Sequence, residues 1–123
     1  MENKKLELKG DERGSFFEVF KLGQGGQVSY STTKPGIMRG NHYHLRKKEF
    51  FCVIDGMAKI KQRNIKTNEI DEVDVSGDTP EVVEMKIGWT HNITNIGSKE
   101  MKLLIWISEE YNSEDPDTFF ENV

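Results

Sequence analysis

The sequence predicts an all-β fold, a sandwich or barrel of eight or nine short strands in a single domain. Apolar residues recur with period two rather than 3.6. The apolar runs are short, rich in β-branched and aromatic residues, and separated by Gly, Asn, Asp and Pro. The 123 residues are enough for one domain with one core and too few for two.

Strands are expected first near Phe16 to Leu22 and Gln27 to Thr33, then in the run FFCVI from Phe50 to Ile54. Asp55-Gly56 follows, a dipeptide that favours the positive φ of a tight hairpin turn. In the next strand Ala58, Ile60 and Gln62 alternate with Lys59, Lys61 and Arg63, so one face is buried and the other wet. Further strands are expected near Glu69 to Val75, Val82 to Met85, His91 to Asn95 and Lys102 to Ile107. FFCVI and LLIWI have no polar face, which predicts cover on both sides by a facing sheet or by a second copy in a homodimer. Within them Cys52 reads as a buried small hydrophobe and Trp106 as core. The acidic tail from Ser113 to Val123 contains Pro116 and is expected as a loosely docked extension rather than a further strand.

No apolar run approaches the length of a membrane span and the polar start MENKKLELKG has no secretory core, so a cytoplasmic protein is expected. The formal charge of -4 and pI near 5.4 argue against nucleic-acid and anionic-membrane partners. One stretch departs from this balance: Lys34, Arg39, Arg46, Lys47 and Lys48 carry no acid among them, and read either as a positive rim or as a solvated turn.

The three histidines are placed informatively. If His42-Tyr43-His44 is extended, both imidazoles leave one face with Cα atoms roughly 6.6 to 7 Å apart, close enough to converge on one ion. Glu49 could add a carboxylate oxygen, and His91 lies in the second half of the chain. Imidazoles with one carboxylate suit zinc, iron, nickel or manganese better than calcium or magnesium. A His-x-His pair by itself is also common in surfaces and hydrogen-bonded cores.

The spacing around these residues is more specific. Gly36, five residues, His42-x-His44, four residues, Glu49, six residues and Gly56 resembles the first sequence motif of the cupin superfamily. Gly88, two residues, His91, three residues and Asn95 resembles the second, with Lys86 where a turn-shaping proline is usual. The resemblance implies a cupin, a double-stranded β-helix or jelly-roll barrel, with His42, His44, Glu49 and His91 as metal ligands. Asp11-Glu12-Arg13-Gly14-Ser15-Phe16-Phe17-Glu18 and Arg39-Gly40-Asn41-His42-Tyr43 are similar to two motifs of the epimerases of nucleotide-linked 4-keto-6-deoxyhexoses. In the metal-free members the histidine of the second motif is the base; the added His44, Glu49 and His91 favour a ligand role for His42.

The broadest resemblance is to the C-terminal cupin domain of the CapF family of capsular polysaccharide synthesis. It is carried by Gly26-Gln27-Val28-Ser29, Lys34-Pro35-Gly36-Ile37, Gly40-Asn41-His42, Lys47, Glu49, Val75-Ser76-Gly77-Asp78, Glu81-Val82-Val83, Gly88, Thr90-His91-Asn92-Ile93 and Pro116-Asp117-Thr118. It implies one zinc ion and epimerisation at carbon 3 of a UDP-linked 2-acetamido-2,6-dideoxy-4-hexulose. A separate NADPH-dependent reductase is then an expected partner. A stand-alone epimerase, an excised domain and a cupin with a changed reaction all stay open.

Such chemistry needs a base, an oxyanion stabiliser and a diphosphate grip. Lys47 reads as the catalytic base or as a solvated turn cation. Arg13 and Arg39 read as a bidentate grip on the diphosphate of the nucleotide-sugar substrate, or as partners of acids such as Glu12 or Glu18. Trp89 is placed to stack on the base or sugar. A metal-dependent dioxygenase and a non-catalytic sugar-binding cupin are the competing function classes.

Overall fold

The computed structural model describes residues 3–123. Eleven strands follow in chain order: β1 Lys9–Asp11, β2 Gly14–Lys21, β3 Gln27–Thr33, β4 Met38–Tyr43, β5 Glu49–Asp55, β6 Met57–Asn64, β7 Ile70–Ser76, β8 Val82–Met85, β9 Trp89–Asn95, β10 Met101–Ile107 and β11 Phe119–Phe120. They form two antiparallel sheets, ordered β1-β2-β3-β10-β5-β8 and β11-β4-β9-β6-β7. From β3 onward the chain alternates between the sheets, except at the β6–β7 hairpin, and so winds a jelly-roll barrel.

The period-two pattern explains the core. Phe51, Val53, Met85, Met101 and Leu103 face inward from the first sheet and Ala58, Ile60, Val75 and Ile93 from the second, all buried. In β6 the predicted alternation holds, with Ala58, Ile60 and Gln62 buried and Lys59, Lys61 and Arg63 only half-buried.

Several expectations are corrected. Asp55-Gly56 is not a hairpin turn, because β5 pairs with β10 and β8 while β6 pairs with β7 and β9 in the other sheet. Gly56 does take the expected positive φ, 91°, at this corner, where an added Cβ would lie 3.1 Å from Met101 Cα. Within the single chain FFCVI and LLIWI are covered by the facing sheet on one face only, which leaves the other to the expected second copy. Phe50, Cys52 and Trp106 are half-buried and Leu104 is exposed on the outer face. Trp106 is therefore not core: its ring stacks on Phe50 and its Nε1–H donates to the Gly25 carbonyl at 3.0 Å. Where a loosely docked tail was expected, Phe119 and Phe120 form β11 against Tyr43 and His42.

Candidate metal centre and cavity

Four segments bring the four candidate ligands together. His42 is on β4, where a bulge between Gly40 and His42 leaves Asn41 at φ 60° and sets His42 opposite His91 of β9. A bulge inserts one residue and re-aims the next side chain. His44 lies just past β4, and Glu49 opens β5. One donor atom from each of His42, His44, Glu49 and His91 lies within 4.8 Å of the others, a cluster that could hold a metal ion.

Glu49 Oε1 is 3.2 Å from both His44 Nε2 and His91 Nε2. His44 Nδ1 is 2.7 Å from the Asp117 carbonyl, so Nδ1–H donates there and Nε2 is left facing Glu49. His91 is 1% exposed, and neither ring nitrogen has a well-aligned hydrogen-bond partner among the described residues: Nε2 lies within ion-pair distance of Glu49 Oε1 without hydrogen-bond geometry, and Nδ1 meets no partner. An imidazole orphaned this deep is costly unless a further group satisfies it, and an ion would do so. The donor set of three nitrogens and one carboxylate thus fits a transition metal.

Burial is the largest influence on all three shifted ligands. It holds His42 down to about 4, assisted by the neighbouring His91. Burial also works against the charges of His44 and Glu49 but is outweighed by their mutual hydrogen bond and attraction. His44 is raised, and Glu49, helped by His91, is lowered to about 2.

These ligands form one end of a cavity of 570 Å³ between the sheets. Lys47 lines it and is 2% exposed, far from the solvated cation of the bland reading. Among the described residues it makes no ion pair, and its Nζ lies 5.9 Å from the Tyr111 ring centroid. Arg13 and Arg39 also line the cavity. Gly14, at φ 147°, closes the β1–β2 hairpin so tightly that any Cβ would strike the Thr32 carbonyl, and this turn presents Arg13. Arg13 pairs with Asp11 at 2.7 Å rather than with Glu12 or Glu18, holding the Asp11 carboxyl at about 2. Arg39 donates to Thr33 Oγ1 and the Thr32 carbonyl at 2.9 Å and pairs with no acid among the described residues. Trp89 does not line the cavity. It lies one row beyond His91 on β9, where Lys86 Nζ sits 4.2 Å from its ring centroid.

Sequence reasoning missed the part played by Asp117. Its buried carboxylate accepts hydrogen bonds from the backbone N–H groups of Leu45, Arg46 and Lys47 at 3.1, 2.8 and 2.9 Å, fixing the loop that carries His44 and Lys47. Phe120 was missed too: its ring packs edge-on to His42, 5.9 Å between centroids, and lines the cavity.

The sequence profile of the polysaccharide biosynthesis C-terminal domain matches residues 9–119. The chain belongs to that family. This polysaccharide biosynthesis C-terminal domain is 45% identical over 112 residues to UDP-2-acetamido-2,6-beta-L-arabino-hexul-4-ose reductase of Pseudomonas aeruginosa, a match covering 91% of the chain and 30% of the relative. It is 25% identical to the spore coat polysaccharide biosynthesis protein SpsL of Bacillus subtilis, over 93% of the chain and 82% of the relative. Crystalline CapF from Staphylococcus aureus superposes with TM-score 0.95 at 43% identity, over 98% of the chain and 35% of CapF. The chain thus spans about a third of the length of CapF and of the Pseudomonas relative. Bacillus subtilis oxalate decarboxylase, 20% identical with TM-score 0.74 over 87% of the chain and 29% of its own, shares the fold. The polysaccharide biosynthesis C-terminal domain is thereby an all-β cupin, as its two motifs implied.

Proposed function

We propose that the chain is a metal-dependent epimerase acting at carbon 3 of a UDP-linked 4-keto-6-deoxy amino sugar, in the cytoplasmic synthesis of capsule or related polysaccharide precursors. The observation that carries the proposal is the cavity itself: the cluster of His42, His44, Glu49 and His91, the buried Lys47 and the two arginines line one continuous cavity. The 45% identical relative is named for a substrate of this chemical class.

His42, His44, Glu49 and His91 would hold the ion, for which we propose zinc. When bound it supplies Lewis-acid stabilisation of negative charge on the carbon 4 oxygen. Arg39, free of acid partners among the described residues, and Arg13 bind the diphosphate and fix the sugar's register. Lys47 Nζ is assigned the proton transfer at carbon 3. The C3–H bond breaks with its proton passing to Lys47 Nζ, and its electron pair moves toward the carbon 4 oxygen as an enolate. Delivery of a solvent-derived proton to the opposite face inverts the centre, the lysine proton returning to solvent. Nothing is oxidised overall. Leu103, Ile105 and Phe51 give the cavity an apolar wall beside the enolate.

A reductase acting at carbon 4 would follow as a separate partner or domain. The half-exposed apolar face of Phe50, Cys52, Leu104 and Trp106 is proposed as the contact of a homodimer.

The test is proton NMR in deuterated water with the zinc-loaded protein and a UDP-linked 4-keto-6-deoxy amino sugar. Loss of the carbon 3 proton signal is expected with the native chain and not with His91→Ala. A carbon 3 proton that persists with the loaded native chain would sink the proposal.

A further inference from the structure

The inward face of β3 is polar where a barrel interior is ordinarily apolar. Gln27, Ser29 and Ser31 are 4%, 2% and 2% exposed, and all three line the cavity. On the adjacent β10 the residues directly opposite them are Ile107, Ile105 and Leu103. Gln27 Nε2 donates to Ser29 Oγ at 3.0 Å, and Gln27 Oε1 accepts from the Tyr111 backbone N–H at 3.2 Å. Ser31 Oγ is buried with no partner among the described residues. Valine or isoleucine would suit a strand at these positions better and would leave nothing unpaired.

The register gives this polar ladder a direction. Gln27 lies in one row with Ile107 and the ligand Glu49, Ser29 with Ile105 and Phe51, and Ser31 with Leu103 and Val53. From Gln27 to Ser31 the strand runs roughly 13 Å. Beyond Ser31 the same strand gives Arg39 its two acceptors, at Thr32 and Thr33. The ladder therefore runs from the metal-ligand end of the cavity to the arginine end.

We infer that β3 forms the subsite for the 2-acetamido group of the sugar. The inference rests on the nucleotide-sugar reading of the cavity and deepens it. A hexose held with carbon 4 at the ligands and carbon 1, through its diphosphate, at the arginines has two unlike edges. One carries carbons 2 and 3 with their polar substituents; the other carries carbon 5 and, in a 6-deoxy sugar, an apolar methyl. The polar β3 strip beside the apolar β10 strip matches that division. Ser31 Oγ, without a partner among the described residues, is free either to accept the amide N–H or to donate to the amide carbonyl. A site built to hydrogen-bond one substituent discriminates strongly against an analogue lacking it, because its own buried groups are then left unpaired.

The test uses two probes that differ only at carbon 2, UDP-N-acetylglucosamine and UDP-glucose, titrated calorimetrically into the zinc-loaded full chain. Native protein is expected to bind the acetamido sugar about tenfold or more tighter. Ser31→Ala should reduce that ratio to near unity and leave UDP-glucose binding within about twofold of native. Ser31→Thr, which keeps the hydroxyl, should retain the preference, and thermal melts of both variants check the fold. Equal binding of the two probes by native protein, no binding of either, or an equal loss for both in Ser31→Ala would overturn the subsite. Neither probe has a ketone, so this outcome is independent of carbon 3 exchange. Exchange without discrimination would remove the subsite alone, and discrimination without exchange would remove the epimerase reading alone.

Discussion

The backbone carbonyl of Asp117 lies 2.7 Å from Nδ1 of His44, so a residue 73 positions along the chain decides which imidazole nitrogen faces Glu49. The Asp117 side chain meanwhile ties down three successive N–H groups of the loop after His44. Ligand orientation and loop position thus depend on one residue. Groups that orient ligands in this way typically influence affinity by about 10- to 100-fold. Asp117→Ala keeps the backbone carbonyl but releases the three loop N–H groups, and with them the position of His44. It is expected to weaken metal binding by no more than about that factor, and Asp117→Asn by less, because asparagine keeps one acceptor and tolerates the φ of 49° seen here. Competition with a chromophoric chelator measures both. Unchanged affinity in the alanine variant would show the clamp to be irrelevant to the metal.

Metal binding should depend on pH through His44. Binding requires unprotonated imidazoles and an ionised carboxylate. At neutral pH His42, held near 4, has already lost its proton, and Glu49, near 2, is charged. His44 is raised from 6.5, so its proton is the competitor. Affinity should fall about tenfold per pH unit below the His44 titration and level off above it. Titrations in buffers of different ionisation enthalpy should find roughly one proton released near neutrality. An affinity that ignores pH across that range contradicts the assignment.

Arg39→Lys should behave much like Arg39→Ala toward UDP. The guanidinium uses two nitrogens to hold Thr33 and the Thr32 carbonyl while presenting charge to the cavity, and a lysine cannot do both. A loss of about 1.5–3 kcal/mol, or roughly tenfold to a hundredfold in UDP affinity, is expected. Native-like affinity in the lysine variant would mean that the fork geometry is not used.

Lys47→Met should separate chemistry from metal binding. The side chain is buried in the cavity wall, and methionine of similar length preserves its packing. Zinc affinity should stay near native while the carbon 3 exchange rate falls about 10²- to 10⁴-fold. Native exchange rates in this variant would move the proton transfer to another group.

The barrel was legible because alternation is a local signal: β3, β6 and β8 lie where the run of residue types puts them. The convergence of His42, His44, Glu49 and His91 was legible because two short motifs carry all four positions. What stayed hidden depends on contacts between distant segments. The short β1 and β11 owe their existence to their partner strands, not to long apolar runs of their own. Asp117 reads locally as one acid in an acidic tail, and its three hydrogen bonds reach back about seventy residues. Asp55-Gly56 satisfies hairpin chemistry yet turns a corner, because β10 pairs with β5 where β6 would otherwise lie. Trp89 shares a strand face with His91, and only the end of the cavity separates their environments.

The alternation of the chain between two sheets also governs how the molecule can be assembled. Among the described strands only β1–β2, β2–β3 and β6–β7 pair with a neighbour in sequence; the remaining pairings close large loops. Topologies dominated by such distant closures fold in milliseconds to seconds rather than microseconds. β4 and β9, which bring His42 to His91, are joined across one of these long closures. The candidate metal site cannot be complete before that closure is made, so a metal ion that binds there is expected to slow the unfolding of the finished barrel more than it hastens folding.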